Sequence, residues 1–176
     1  MIPNFFIDLT GGYQPALASD MLRKLHGIFT KQPNTYALLI DEHKPFSGFR
    51  IFAEHLTELN AIIEFFNNSA FAKKQYSLGY ANQVPADYSG PGVMLLRVKM
   101  SGKQLQKDDP NRYAAQLERS EDLPYFILNS KQNGQRFSLK VRHAYGDYTP
   151  KHNDANPDSY GLSRAQNQIT LPLLES

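Results

Sequence analysis

The sequence predicts an α+β protein, and three observations carry that prediction. Across residues 4–81 the apolar pattern switches between strand and helix periods in the order β-α-β-β-α-β, which is the order of the ferredoxin-like fold. Residues 82–92 are rich in Pro and Gly and read as a connection. Further on, two alternating apolar runs flank Gln132-Asn133-Gly134-Gln135, and Asn-Gly between such runs is a strong hairpin signal. The expected organisation is a ferredoxin-like domain over 1–81, a linker over 82–92, and a smaller hairpin-based half over 93–176.

Each element has its own local reason. Residues 4–9 form a short apolar run that Gly11-Gly12 interrupts. Pro15 then opens a helix over about 16–30, with Leu17, Met21, Leu25 and Ile28 on one stripe and Leu22 and Phe29 widening it. Strands follow at 36–41 and 48–53, joined by a polar loop containing Pro45 and Ser47. A second helix is expected over about 54–67, with Leu56, Leu59, Ile63 and Phe66 on one face. Residues 75–81 alternate Tyr76, Leu78 and Tyr80 as a fourth strand.

Beyond the linker, 93–100 is strand-like, and 108–120 is polar with room for one short helix starting near Pro110. The hairpin spans 123–143, with Phe137, Leu139 and Val141 on one face and Ser138, Lys140 and Arg142 on the other. Residues 143–159 read as loop, and 169–174 as an edge strand, where Pro172 is tolerated.

Composition narrows the chemistry. The 176 residues carry a formal charge of +2, but unevenly: seven Lys/Arg against eight Asp/Glu in 1–90, twelve against nine in 91–176. The cationic bias lies in the half with the hairpin, which suits a polyanionic partner but is also common in neutral domains. Cysteine is absent, so disulfides, thiolate zinc sites and cysteine nucleophiles are excluded. The five histidines lack the close spacings of metal motifs, and no cofactor is expected. No apolar run approaches a membrane span, and a cytoplasmic chain is expected.

The candidate functional residues each have two readings. His26 lies at the border between the apolar stripe and the polar face of its helix. It either packs its ring on the sheet or presents an imidazole to a cleft, where it could move a proton near neutral pH. Ser130 closes the first hairpin strand, and its hydroxyl serves either local backbone or a ligand. No Gly-x-Ser-x-Gly elbow surrounds it, which argues against acyl transfer. Tyr160 sits in a turn-like Ser-Tyr-Gly-Leu context and offers packing or a hydroxyl. Phe137 is a core residue or a stacking platform near the turn, worth about 1–3 kcal/mol per base. Arg97 and Lys99 share a strand face, as a solvated edge or as a grip on the O6/N7 edge of guanine.

The joint order of these residues resembles the CRISPR-repeat endoribonucleases of the type I-F system. The matching pieces are Lys24-Leu25-His26, Arg97-Val98-Lys99, Leu123-Pro124-Tyr125 with Ser130, then Gly134-Gln135, Phe137, Arg142-His143, and finally Tyr160-Gly161-Leu162-Ser163. The resemblance implies metal-independent cleavage of CRISPR repeat RNA at the base of its hairpin, leaving a 2′,3′-cyclic phosphate and a 5′-hydroxyl. It makes His26 the general base, Ser130 the holder of the ribose, and Tyr160 the residue that orients the imidazole. Phe137 would stack on a guanine whose major-groove edge Arg97 reads.

Further RNA contacts are implied for Lys99, Lys103, Lys107, Arg112, Gln132, Lys140 and Arg142. The partners implied are the repeat hairpin and the other subunits of a surveillance complex. Three departures stand out. The interval that in the family holds an arginine-rich helix here offers Lys103, Lys107, Arg112 and Arg119 diluted by acids. Lys99 stands where a glutamine is usual, and Gln132 replaces a serine. A non-catalytic hairpin cap and a small-molecule-binding ferredoxin-like domain are the competing expectations. An RRM-type single-strand binder is disfavoured because its aromatic signature is missing.

Overall fold

The computed structural model describes residues 1–98, 109–129, 134, 136–149, 155–164 and 166–174, the side chains at 110, 112, 113 and 116 excepted. It is α+β with two antiparallel sheets. The first sheet is built from β1 (Phe5–Gly11), β2 (Tyr36–Leu39), β3 (Gly48–Ala53) and β4 (Tyr76–Leu78), in the order β2-β3-β1-β4. This is the ferredoxin-like arrangement expected from the sequence. A further pair of residues, β5 (Asn82–Gln83), joins β1 through Phe5 and Phe6, beyond the stretch where β4 pairs with Leu9–Gly11.

Between β1 and β2 runs α1 (Pro15–Phe29), with proline in its first turn where a missing N–H costs nothing. Its buried face is Ala18, Ser19, Met21, Leu22, Leu25 and Phe29. Each large apolar side chain there contributes about 1.5–3 kcal/mol relative to exposure.

The second helical region differs from the single helix expected over 54–67. A 3₁₀ turn at Leu56–Leu59 leads into α2 (Asn60–Asn68), and a separate α3 (Ala70–Gln75) follows. The break is local. Ser69 is extended at φ −103°, ψ 107°, and its Oγ accepts from Ala72 N at 3.2 Å, which starts the new helix. As a result β4 begins at Tyr76, and the strand expected over 75–81 shortens to three residues.

The second sheet has the order β7-β8-β6-β9, from β6 (Gly90–Val98), β7 (Tyr125–Asn129), β8 (Arg136–Tyr148) and β9 (Leu171–Pro172). A helix, α4 (Pro110–Glu118), precedes β7 and starts at the expected proline. The hairpin is β7–β8, with Tyr125 opposite Lys140 and Asn129 opposite Arg136. Gly134 at the turn has φ +66°.

β8 runs on to Tyr148, into the stretch expected to be loop, because β6 offers it a full-length partner from Gly90↔Tyr148 to Val98↔Lys140. Beyond Val141 the strand is built from polar, aromatic and small residues, which disguises it in the sequence. This extension also ties the halves together. His143 Nε2 donates to Ile40 O at 2.6 Å, and Tyr145 OH donates to Glu42. β9 lies at the sheet edge, as Pro172 requires. One hydrophobic core runs through both sheets, from Ile7, Leu25 and Phe52 to Leu95, Phe126 and Leu139. Among the described residues no helix is long and apolar enough to cross a membrane.

Candidate active site

His26 lies in the last turn of α1, half-buried beside Leu22 and Leu25. Its Nδ1 is 2.7 Å from Ser159 O. A carbonyl oxygen only accepts, so Nδ1 donates, and in the neutral ring the lone pair is left on Nε2. The flat face of the imidazole is covered by Tyr160, whose ring centroid is 4.1 Å away and tilted by only 10°. A hydrogen bond and a stack thus fix both the rotation and the plane of the ring. The aromatic neighbour meets His26 by its face.

The turn 158–162 that does this is itself tightly held. Asp158 is buried, and its Oδ1 accepts from Tyr160 N at 2.8 Å and Leu162 N at 3.0 Å. Gly161 adopts φ +75°, and its carbonyl accepts from Leu38 N of β2 at 2.8 Å. A Cβ on Gly161 would lie 3.0 Å from Leu38 N and from Phe29 Cε2, so the backbone approaches α1 and β2 too closely for a side chain. On the far side Ser163 N donates to Leu95 O at 2.8 Å. The turn bridges the two sheets and carries the platform for the histidine.

Arg97 joins this cluster from β6. Its Nη1 is 3.6 Å from Asp158 Oδ2, and its guanidinium lies 5.4 Å over the Tyr160 ring. With its side chain 29% exposed, it is a braced cation and not a solvated edge residue. Burial raises the pKa of the Tyr160 phenol, Arg97 draws it back down, and Asp158 pushes it up again. The net rise leaves Tyr160 a neutral phenol at physiological pH.

The remaining expected residues divide between the two faces of the second sheet. Phe137 is half-buried against the core, opposite Leu128 and near the hairpin turn. Arg97 lies opposite Val141, on the same inward-facing side as Leu139 and Phe137. Lys140 and Arg142 belong to the other face. Lys140 Nζ donates to Ser120 O at 2.6 Å and Oγ at 3.2 Å, tying down the chain just after α4, while Arg142 is exposed. Ser130, Gln132, Lys99, Lys103 and Lys107 lie outside the described residues, as does the side chain of Arg112. Three residues before Ser130, Ile127 N donates to Ser19 Oγ at 3.0 Å, which fastens β7 to α1.

Sequence reasoning did not single out Asp158 or Ser159, and took Gly161 only as part of the Tyr160–Ser163 motif. The signal was present in Asp158-Ser159-Tyr160-Gly161, since Asp opens turns by accepting from the backbone two residues on and glycine supplies positive φ. Among the described residues no group of three His, Asp or Glu side chains could hold a metal ion. Cavities of about 380 Å³ and about 710 Å³ border the Asp8–Arg50 ion pair, and neither is lined by His26, Arg97 or Tyr160.

A search of curated proteins finds no match. The family model described as CRISPR-associated protein (Cas_Csy4) matches residues 74–173, more than half of the chain. The match covers both strands of the hairpin, Arg97 and Tyr160, and begins after α1, so it does not include His26. With that match the chain belongs to the Csy4 family of CRISPR-associated, repeat-processing endoribonucleases.

Proposed function

We propose that this chain cleaves CRISPR repeat RNA at the base of its hairpin by attack of a ribose 2′-hydroxyl on the adjacent phosphate, with His26 as general base. The observation that carries the reading is the orientation of His26: Nδ1–H is spent on Ser159 O, the ring face on Tyr160, and Nε2 keeps its lone pair. An internal nucleophile needs neither a metal-bound water nor a covalent enzyme intermediate. Attack forms the 2′-O–P bond, breaks the P–5′-O bond, and leaves a 2′,3′-cyclic phosphate and a 5′-hydroxyl. His26 Nε2 takes the proton from the 2′-hydroxyl, and the leaving 5′-oxygen takes one from solvent water.

In this reading Ser130 holds the ribose, Phe137 stacks on the guanine closing the stem, and Arg97 reads its O6/N7 edge. Lys99, Lys103, Lys107, Arg112, Gln132, Lys140 and Arg142 supply contacts along the stem. Holding nucleophile, phosphorus and leaving oxygen in line lowers the barrier by about 7–11 kcal/mol in the best intramolecular cases. A positioned imidazole adds about 10²–10⁴-fold. The enzyme then stays on the cleaved hairpin and enters a surveillance complex with other subunits.

The test is incubation with repeat RNA in excess EDTA. Cleavage persists there, and a single 2′-deoxy substitution at the scissile nucleotide abolishes it while binding is retained. Cutting of the deoxy RNA, or cutting that stops in EDTA, rejects the mechanism.

A further inference from the structure

Asp158 is a carboxylate 6% exposed, in the middle of the cluster, and the proposed chemistry gives it no proton to carry. Its two oxygens face different partners. Oδ1 accepts from Tyr160 N and Leu162 N, at 2.8 Å and 3.0 Å, and so closes the turn from within. Asp158 N donates to Leu162 O at 2.8 Å and Gly161 N to Asp158 O at 2.9 Å, completing the same turn. This turn presents Ser159 O to Nδ1 of His26 and the Tyr160 ring to its face. Oδ2 instead faces Arg97 Nη1, at 3.6 Å, and that guanidinium lies over Tyr160.

We propose that Asp158 is a positioning residue with one task per oxygen: Oδ1 shapes the turn that orients His26, and Oδ2 braces the Arg97 guanidinium that reads the guanine. The proposal rests on the general-base and guanine-reading assignments made above. Arginine has five N–H donors in a rigid fork, so a brace on one nitrogen leaves others directed at a base edge. A brace set before RNA arrives removes the entropy otherwise lost on ordering that side chain. The turn matters to rate by another route, since misplacement of a reacting group by about 1 Å can cost about 10²-fold.

The two tasks separate chemically. In Asp158→Asn the amide oxygen still accepts from Tyr160 N and Leu162 N, but the negative charge facing Arg97 is gone. Asp158→Ala removes both. The measurements are the single-turnover cleavage rate at saturating repeat hairpin RNA and the affinity for a 2′-deoxy hairpin. Affinity is measured with guanine or 7-deazaguanine, which lacks the N7 acceptor, at the base of the stem.

Asp158→Asn is expected to keep the wild-type rate within about threefold while losing about tenfold of the guanine preference over 7-deazaguanine. Asp158→Ala is expected to lose the same preference and, in addition, about 10²-fold in rate. Equal rates in the Asn and Ala variants, or an undiminished guanine preference in Asp158→Asn, overturns the division of tasks. If Asp158→Ala fails to fold, Asp158→Asn decides alone: wild-type rate with lost preference supports the proposal, and any other combination of rate and preference rejects it. His26→Ala is the control for the underlying reading. Wild-type cleavage by that variant rejects the general-base assignment, whereas its failure to cleave leaves the Asp158 results to judge Asp158.

Discussion

Arg97 and Arg142 belong to neighbouring strands and adjacent levels of one sheet, Arg97 opposite Val141 and Arg142 opposite Leu96. One residue of offset sends them to opposite faces. Arg97 points inward, where Asp158 and Tyr160 hold it. Arg142 points outward with Ser138 and is exposed. The same side chain therefore meets two environments. A braced guanidinium has already lost its conformational freedom and can discriminate between base edges. A solvated one attracts phosphate without selecting it, and its contribution fades with salt. In the proposed reading the inner face does the sequence-specific chemistry and the outer face supplies general affinity.

The sharpest way to break this contrast is through the glycines behind each side. Gly161→Ala forces a side chain into φ +75° and to within 3.0 Å of Leu38 N and Phe29 Cε2. Backbone strain and overpacking together should cost about 3–4 kcal/mol, read as a lower urea midpoint, and the His26 platform should be lost with it. Gly146 on β8 meets nothing within 4 Å, so Gly146→Ala should shift stability by no more than about 0.5 kcal/mol. Equal losses at the two positions would show that the turn at 158–162 is not under the restraint described.

The arginines give the next largest difference. Arg97→Ala should lower the affinity for guanine-closed hairpin by about 1–3 kcal/mol and relax the preference at that base. Arg142→Ala should weaken all hairpins alike and reduce the slope of log affinity against log salt by about 1. A base-specific loss from Arg142→Ala would sink the assignment of faces.

The ferredoxin-like half was legible because its apolar stripes obey simple periods: Leu22 and Leu25 on a helix, Ile7 and Leu9 on a strand. The hairpin was legible from Asn133-Gly134 and the alternation around it. What escaped the sequence were features with no period. The helix break at Ser69 depends on one capping hydroxyl, and the continuation of β8 past His143 depends on a partner strand some fifty residues away.

The site divides in the same way. His26 and Tyr160 stood out by order, and the helical period put His26 at the border of the apolar stripe, where it is half-buried. Nothing local could reveal that Ser159 O, 133 residues on, would fix its tautomer, or that Arg97 and Asp158 would meet. Such contacts are made by the fold between segments that carry no mutual signal in one chain.

A smaller effect separates stacking from hydrogen bonding at His26. Tyr160→Phe keeps the ring that lies 4.1 Å from the imidazole and should keep cleavage within about threefold. Tyr160→Leu removes the stack and should cost about tenfold in single-turnover rate, since aromatic pairs are worth about 0.5–1.5 kcal/mol beyond burial. If Tyr160→Phe is the more damaging change, the hydroxyl and not the ring face positions the base.

The smallest expected effect tests how the two halves are kept in register. β7 is an edge strand, and an unpaired edge N–H is a liability that proteins cover. Here Ser19, buried on α1, covers one: its Oγ donates to Pro15 O at 2.7 Å and accepts from Ile127 N at 3.0 Å. Ser19→Ala leaves that N–H without its acceptor and should cost about 1–2 kcal/mol of unfolding free energy. Ser138→Ala, on the exposed face of the adjoining strand, should change stability by less than about 0.5 kcal/mol. Ser19 lies two helical turns before His26, and Ile127 lies three residues before Ser130, so this bond spans the helix bearing the base and the strand leading to the proposed ribose holder. Ser19→Ala should accordingly lower the saturated cleavage rate while leaving hairpin affinity unchanged. A variant that loses stability yet cleaves at the wild-type rate would show that α1 and β7 keep their register without this bond.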